Sequence, residues 1–124
     1  MTPKKILIID DEPFTCQLIA KVLQLNGYDA IILTDSQTLL ETVNVEQPAL
    51  ILLDYHLGTN YGLDLLQILR GDPLSSQIPV IITSGIDREA EVLAAGAQAF
   101  LLKPFDWQEL TSIIDTMLVH KHQQ

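Results

Sequence analysis

The composition and charge of this 124-residue chain exclude several classes of protein. A chain of this length is one ordinary domain, and it buries about two-thirds of the surface that its unfolded form exposes. The net charge of −9 argues against direct binding to nucleic acid, because the phosphates would be repelled. No apolar run approaches the roughly 18 residues of a membrane-spanning helix, so we expect no membrane contact.

The single cysteine and the first residues of the chain indicate a cytoplasmic protein. Cys16 is the one cysteine of the sequence, so no internal disulfide can form and a reducing compartment is the default. The first residues precede only four apolar residues and then acid, which is not the pattern of a signal peptide. We predict one domain over residues 1–124, with its core at about residues 4–119 and a polar tail at 120–124.

Apolar runs of strand length alternate with helical patterns along the whole chain. Strands are predicted at residues 4–9, 28–33, 49–54, 78–84 and 98–103. Helices are predicted to begin at Pro13, at Asp35 or Ser36, near Leu63, at Asp87 (over residues 87–95) and after Asp106. Each spacing between strands leaves room for a right-handed helical crossover. The pattern therefore predicts an α/β fold, a three-layer sandwich with a five-stranded parallel sheet and five helices.

Local signals mark the ends of several elements. Pro13 suits the first turn of the first helix, and Gly27 suits a left-handed cap after its end. Asp106 and Glu109 form a capping box that opens the last helix, with aspartate in place of serine or threonine. Residues 55–61, after the central strand, are predicted to form a loop.

Polar side chains follow the strands at the points where they end. They are Asp10 and Asp11 after the first strand, Asp54 at the end of the third, Thr83 and Ser84 at the end of the fourth, and Lys103 after the fifth. The carboxyl ends of parallel strands lie at one edge of the sheet, where open α/β sheets hold their ligands. One aspartate alone would be read as the start of a turn, but several segments converge here. The sequence therefore predicts a functional site at this edge.

Three clustered carboxylates predict metal and phosphate chemistry. Two bare charges about 4 Å apart repel by roughly 4 kcal/mol at an effective dielectric near 20, so such a cluster requires neutralisation. Oxygen ligands without cysteine or histidine favour Mg²⁺, and a lysine and a hydroxyl at the same edge suit a phosphate. No glycine-rich phosphate loop follows the first strand. The pattern therefore favours a phosphoryl group carried on a carboxylate, an aspartyl phosphate.

Together these segments resemble the receiver domain of two-component response regulators. The resemblance covers about residues 4–119 and depends on Asp10-Asp11, Asp54, Thr83-Ser84-Gly85 and Lys103-Pro104-Phe105. It implies a flavodoxin-like sheet with the strand order 2-1-3-4-5. It also implies that Asp54 accepts a phosphoryl group from a sensor histidine kinase or a phosphotransfer protein. The phosphorylated domain would then change its binding to an output partner or effector domain, which the sequence does not identify.

The resemblance further implies a role for each residue of the site. Mg²⁺ would be bound by Asp10, Asp11, Asp54 and the backbone carbonyl of His56. Lys103 would pair with the phosphate, and the peptide bond from Lys103 to Pro104 would be cis. Counting five positions from Pro79 places the switch hydroxyl at Ser84, before Gly85, with Thr83 as the alternative. Phe100 occupies the position of the family's switch aromatic, and its interpretation as an ordinary apolar strand residue is compatible with that role.

Several features depart from the family's usual pattern. Gly58 stands where proline is usual and Tyr61 stands where an acid is usual, so we expect the loop after the third strand to be more mobile. The chain between the fourth and fifth strands is shorter than is common, which predicts a short or partly unwound fourth helix. His56 lies where side chains of the family tune hydrolysis of the aspartyl phosphate. An exposed loop histidine without such a role explains that position equally well.

Two other functions are compatible with parts of the pattern. A haloacid-dehalogenase-like phosphatase also forms an aspartyl phosphate, but it needs a nucleophile and an acid two residues apart, together with a cap. Asp10 and Glu12 are weak substitutes for that pair. A degenerate receiver would bind its partners without phosphate, and the complete set of carboxylates, hydroxyl and lysine argues against it. The sequence thus predicts a signalling phosphoacceptor and not an enzyme with an external substrate.

Overall fold

The computed structural model describes residues 2–58 and 60–120. Ten main elements follow one another: β1 (Lys5–Ile9), α1 (Pro13–Leu25), β2 (Asp29–Leu33), α2 (Leu39–Glu46), β3 (Leu50–Asp54), α3 (Gly62–Gly71), β4 (Val80–Ser84), α4 (Glu89–Ala94), β5 (Ala99–Leu102) and α5 (Trp107–His120). A single turn of 3-10 helix, Ser36–Thr38, precedes α2. Of the tail predicted at 120–124, residues 121–124 lie outside the described residues.

The five strands form one sheet in the spatial order β2-β1-β3-β4-β5. All four neighbouring pairs are parallel, as helical crossovers between consecutive strands require. The predicted α/β sandwich and the predicted strand order are therefore confirmed. β3 lies in the middle of the sheet, and its apolar residues are buried up to the point where Asp54 ends it.

Two apolar cores cover the two faces of the sheet. Side chains alternate along each strand, so neighbouring strand residues enter opposite cores. One core joins the sheet to α2, α3 and α4 through Leu39, Val43, Leu65, Leu66, Leu69 and Val92. The other joins it to α1 and α5 through Cys16, Ile19, Leu23, Leu110, Ile114 and Leu118. Complete burial of one such leucine or isoleucine stabilises the fold by about 1.5–3 kcal/mol.

The first helix and the start of the second follow the predicted end signals. Pro13 is the first residue of α1, and Gly27 follows the helix with a φ of +91°, in the left-handed region. Asp35, and not Ser36, supplies the next cap, because its side chain accepts a hydrogen bond from Gln37 N at 2.9 Å. These signals work locally because Gly27 and Asp35 bond to backbone groups that a helix end leaves free, and Pro13 lacks the N–H that would have no helical partner.

Each strand begins one or two residues later than predicted, and the predicted loop after β3 is not wholly irregular. β4 begins at Val80 and not at 78, because the Ile78 N–H donates to the Ser75 carbonyl at 3.1 Å and closes a turn. The predicted loop at 55–61 contains a short antiparallel ribbon in which His56–Leu57 pairs with Asn60–Tyr61. This ribbon orders the segment that follows the central strand.

The fourth helix is short, as the length of its segment predicted. α4 has only six residues, Glu89–Ala94, where residues 87–95 were predicted. The Asp87 side chain accepts the Glu89 N–H at 3.0 Å, which places Asp87 in a turn before the helix. A helix of less than two turns has little stability of its own, so its position depends on its contacts with the rest of the domain.

The last helix begins with a simpler cap than predicted. Asp106 Oδ1 accepts the Gln108 N–H at 3.0 Å, which supplies the cap of α5. Among the hydrogen bonds of the described residues there is no return bond from the Glu109 side chain, so the predicted capping box is incomplete. No helix in the described part of the chain, α5 included, is both long enough and apolar enough to cross a membrane.

Candidate functional site

Three carboxylates meet at the carboxyl edge of the sheet. Asp10 and Asp11 follow β1, Asp54 ends β3, and these two strands are neighbours. Each carboxylate offers an oxygen within 4.8 Å of the others. Asp10 is buried, Asp54 is partly buried and Asp11 is exposed, so the cluster opens to solvent at Asp11. A set of oxygen ligands of this kind could hold a hard cation such as Mg²⁺.

Lys103 joins this cluster from the end of β5. Its ammonium group lies 3.2 Å from Asp10 Oδ2 and 3.3 Å from Asp54 Oδ1, so one cation contacts two of the three carboxylates. The Lys103 N–H donates to the Ser84 carbonyl at 2.7 Å and thereby extends the pairing of β5 with β4. The Lys103–Pro104 peptide bond is cis, as the resemblance implied. The structure thus brings together the acids and the lysine that the sequence placed at this edge.

The carboxylates and the lysine change one another's protonation. Burial raises the pKa of Asp54, and the charges of Asp10 and Asp11 raise it further, while Lys103 acts in the opposite direction. Burial alone would lower the pKa of Lys103, but the Asp54 and Asp10 carboxylates outweigh it and raise that pKa. The lysine is therefore held firmly in its charged form, and the charge of Asp54 is only partly compensated.

Two hydroxyl side chains end β4 beside this cluster. Thr83 is the register partner of Asp54 on the neighbouring strand, and its carbonyl accepts the Tyr55 N–H at 2.8 Å. Ser84 is buried, and its hydroxyl oxygen accepts the Ile86 N–H at 3.1 Å. Because side chains alternate, the two hydroxyls belong to opposite faces of the sheet. The choice of Ser84 as the switch hydroxyl, followed by Gly85, stays a prediction with Thr83 as its alternative.

Two glycines shape the segment that covers the cluster. The Gly58 N–H donates to Asp11 Oδ2 at 2.8 Å, a bond that the family's usual proline could not make. A Cβ atom on Gly62 would lie 2.6 Å from the Asp54 carbonyl oxygen, which is closer than a side chain can approach. The structure thus requires glycine at position 62, where α3 begins against the backbone of the central strand. The greater mobility expected of this loop stays a prediction.

His56 and Phe100 occupy different surroundings. The His56 ring is exposed and makes edge-on contacts with Tyr55, at 4.8 Å between ring centroids, and with Tyr61, at 5.7 Å. Phe100 is half-buried, pairs with Ile82 in register and packs against the core on the α4 side of the sheet. A carbonyl ligand at His56 and a switching ring at Phe100 both stay predictions.

A further contact, for which the sequence carries no local signal, joins Tyr55 to α4. The Tyr55 hydroxyl donates to Glu91 Oε1 at 2.6 Å, and the Arg88 guanidinium carbon lies 5.1 Å from the centre of the Tyr55 ring. This hydrogen bond to a carboxylate raises the pKa of Tyr55. No local pattern connects a tyrosine with a glutamate 36 positions later. Only the packing of α4 against the sheet brings the two side chains together.

The fold and the site define a class of protein: an α/β domain with clustered carboxylates and a lysine at the carboxyl edge of its sheet. A sequence model of the response regulator receiver domain matches residues 6–115. The chain therefore belongs to the receiver domain family of two-component response regulators.

Individual members of the family are similar over nearly the whole chain. The phosphate regulon transcriptional regulatory protein PhoB of Pseudomonas aeruginosa is 32% identical over 121 residues, which are 95% of this chain and 53% of that protein. The DNA-binding response regulator MtrA of Mycolicibacterium smegmatis is 30% identical, over 93% of this chain and 50% of that protein. The chain thus spans about half the length of these two relatives.

A solved structure agrees with the sequence comparison. The receiver domain of Francisella response regulator 1452 superposes with a TM-score of 0.83 at 31% identity. The alignment covers 98% of this chain and 99% of that domain. The similarity therefore includes the full arrangement of strands and helices around the carboxylate cluster.

Proposed function

We propose that Asp54 accepts a phosphoryl group from a phosphohistidine of a sensor histidine kinase or phosphotransfer protein. The observation that carries this proposal is the position of the Lys103 ammonium group, which contacts both Asp54 and Asp10 within a cluster of three carboxylates. A partly buried lysine beside a carboxylate at a sheet edge can stabilise the charge of an arriving phosphoryl group. Membership of the receiver family supports the same assignment.

The transfer requires an ionised carboxylate and a leaving histidine. A carboxylate oxygen of Asp54 attacks phosphorus, the bond from phosphorus to the histidine nitrogen breaks, and its electron pair returns to the imidazole, which then takes up a proton. Lys103 favours the ionised form of Asp54 and can then pair with phosphoryl oxygens. The open side of the cluster, at the exposed Asp11, leaves space for the donor.

Mg²⁺ fits the donor set of this site. Asp10, Asp11 and Asp54, with the backbone carbonyl of His56, are the proposed ligands, and all of them are the oxygen donors that this ion prefers. When bound, the ion would supply positive charge that offsets the carboxylates and the incoming phosphoryl group. The Gly58 N–H bond to Asp11 would hold one of these ligands in place.

The proposed output is a change of partner binding. A phosphoryl oxygen on Asp54 would accept a hydrogen bond from the Ser84 hydroxyl, and Gly85 would offer little resistance to the movement. Phe100 would then turn inward and change the surface around α4 and β5. The relatives are named as a transcriptional regulatory protein and a DNA-binding response regulator, which favours an effector that binds DNA as the output partner.

Phosphorylation by a small donor tests the assignment. Incubation with acetyl phosphate and Mg²⁺ should add the mass of one phosphoryl group, and hydroxylamine should remove it, as expected of an acyl phosphate. Asp54→Asn should abolish the labelling, while Asp64→Asn, at an exposed carboxylate on α3, should not change it. Labelling of Asp54→Asn to the level of the parent would contradict the assignment. A parent that takes no label would favour a receiver that binds its partners without phosphate.

A further inference from the structure

Tyr55, directly after the proposed phosphoacceptor, is fixed to two other elements through its backbone. Its N–H donates to the Thr83 carbonyl at 2.8 Å, and its carbonyl accepts the Gly62 N–H at 2.6 Å. Its side chain is buried in the core on the α4 side of the sheet. Tyr55 therefore cannot move with α4 unless the end of β3 moves too.

The side chain of Tyr55 contacts the first turns of α4 at two points. Its hydroxyl donates to Glu91 Oε1 at 2.6 Å, and the Arg88 guanidinium lies over its ring. Arg88 stands at the N-cap of α4 without a side-chain capping bond, and its Nε atom is buried without a hydrogen-bond partner in the described part of the chain. The start of this six-residue helix therefore depends on Tyr55 for its polar anchorage.

The far end of α4 is held separately. Arg70, on α3, donates to the Gly96 carbonyl at 3.0 Å and to Gln98 Oε1 at 2.8 Å, directly after the helix. These bonds lie at the end of the helix that is remote from Ser84. The two attachments would therefore allow the start of α4 to leave Tyr55 while its end stays bound to α3.

A movement at the end of β4 would act on the contacts between Tyr55 and the start of α4. Ser84 is bonded to the Ile86 N–H, and Arg88 follows Ile86 by two residues. If a phosphoryl group drew Ser84 toward Asp54, the same short segment would pull Arg88 and the helix behind it. Tyr55 would stay with β3, so its contact with Glu91 would have to lengthen or break.

We infer that Tyr55 is a positioning residue whose hydrogen bond to Glu91 holds α4 in the phosphate-free arrangement and opposes the change brought by phosphorylation. An interaction present in only one of two states favours that state, so its removal shifts the equilibrium to the other. The holding of α4 stands on the observed contacts, while the coupling to phosphorylation rests on the function proposed for Asp54.

Amide exchange without any phosphodonor tests the first part. Tyr55→Phe keeps the ring under Arg88 and removes only the hydroxyl bond, and Glu91→Gln weakens the same bond from the exposed side. Both variants should speed exchange of the amides of Glu89–Ala94 by about tenfold, since a hydrogen bond to a charged group is lost. Tyr28→Phe is the matched control, because Tyr28 donates to the Asp115 carboxylate on the other side of the sheet. Exchange in α4 that is unchanged in both test variants would overturn the inference.

Affinity for beryllofluoride, a mimic of the phosphoryl group, tests the coupling. Tyr55→Phe and Glu91→Gln should each bind it about fivefold more tightly than the parent, within the usual range of coupling between sites. The double variant should gain no more than Tyr55→Phe alone, because both substitutions act on the same bond. Faster exchange with unchanged affinity would contradict the coupling. A parent that does not bind beryllofluoride would overturn the proposed function and the coupling with it, while the exchange result would still decide whether Tyr55 holds α4.

Discussion

At the scale of single residues, the pKa and the charge compensation of Asp54 depend on its neighbours. Burial and the nearby carboxylates raise its pKa, and Lys103 compensates only part of its charge. The same arrangement leaves the side toward Asp11 open to solvent. The proposed Mg²⁺ and phosphohistidine would therefore meet a carboxylate that benefits from positive charge.

The lifetime of the phosphorylated form is expected to depend on His56. Its ring is exposed two residues after Asp54 and rests edge-on against Tyr55 and Tyr61, and we expect it to screen an aspartyl phosphate from water. We expect His56→Ala to hydrolyse its phosphoryl group severalfold faster than the parent. The decay of the labelled protein in mass spectra measures this rate.

A second substitution distinguishes an effect of the His56 ring from an effect of its nitrogen atoms. His56→Phe keeps an aromatic ring of similar reach, and it should decay like the parent if screening is the cause. Decay that is identical in the parent, the alanine variant and the phenylalanine variant would identify His56 as an ordinary exposed loop residue.

At the scale of elements, the junction of β3 with α3 leaves no room for a side chain at Gly62. A Cβ there would lie 2.6 Å from the Asp54 carbonyl oxygen, so Gly62→Ala must displace either the helix or the central strand. We expect a loss of roughly 1–3 kcal/mol in the free energy of unfolding and weaker phosphorylation of Asp54. Denaturant titration and acetyl phosphate labelling measure the two effects.

The other end of the same helix offers the control. Gly71 ends α3, and a Cβ atom there would meet nothing within 4 Å. Because alanine favours helix more than glycine by about 1 kcal/mol, Gly71→Ala should leave stability unchanged or raise it. Equal losses in both variants would show that the close approach at Gly62 is not the cause.

The connection from β4 to α4 should carry the signal away from the site. Ser84→Ala should still accept a phosphoryl group at Asp54, because the nucleophile and Lys103 are intact. Beryllofluoride should then change amide exchange in residues 85–95 and 99–103 much less than it does in the parent, because the alanine cannot bond to the phosphoryl group. Amide exchange of the parent and of Ser84→Ala, each measured with and without beryllofluoride, gives the two changes that are compared.

Thr83→Val is the matched substitution on the neighbouring residue. It removes the other hydroxyl and keeps the branched shape, so it should respond to beryllofluoride like the parent. Changes that persist undiminished in Ser84→Ala and vanish in Thr83→Val would assign the coupling to Thr83.

At the scale of the whole molecule, the carboxylate cluster adds to a net charge of −9 and is expected to lower stability. The raised pKa of Asp54 means that the folded state binds its proton more tightly than the unfolded chain does, so ionisation of this group subtracts from stability. We expect Asp54→Asn and Asp11→Asn to raise the free energy of unfolding in chelator by on the order of 1 kcal/mol. Thermal melting in chelator measures this change.

Magnesium provides the complementary measurement. The parent should melt at a higher temperature as Mg²⁺ is added, because an ion that binds only the folded state stabilises it, and the two variants should gain less. Asp64→Asn, outside the cluster, should behave like the parent in both conditions. Unchanged or lowered stability of both cluster variants in chelator would contradict a site made of mutually repelling carboxylates.

Much of the fold and of the site could be predicted from the sequence, because the signals are local or periodic. Apolar runs such as residues 49–54 define buried strands, and Gly27 and Asp35 mark helix ends through bonds to nearby backbone groups. Parallel strands bring their carboxyl ends to one edge, so the gathering of Asp54 and Lys103 followed from their places at strand ends. The strand order came from resemblance to the family. The cytoplasmic location and the extent of the domain stay predictions.

Tertiary structure decided the contacts that join distant parts of the chain. The hydrogen bond from Tyr55 to Glu91 depends on where the short helix α4 lies against the sheet, and the residue types alone do not predict that position. The requirement for Gly62 arises from a distance between a helix and a strand, which neither element determines alone. The bond from the Gly58 N–H to Asp11 needs the loop after β3 to lie beside the end of β1, and no local pattern in the sequence indicates that contact. Such contacts form only when all the elements have packed, because each contact joins two segments whose separation is determined by that packing.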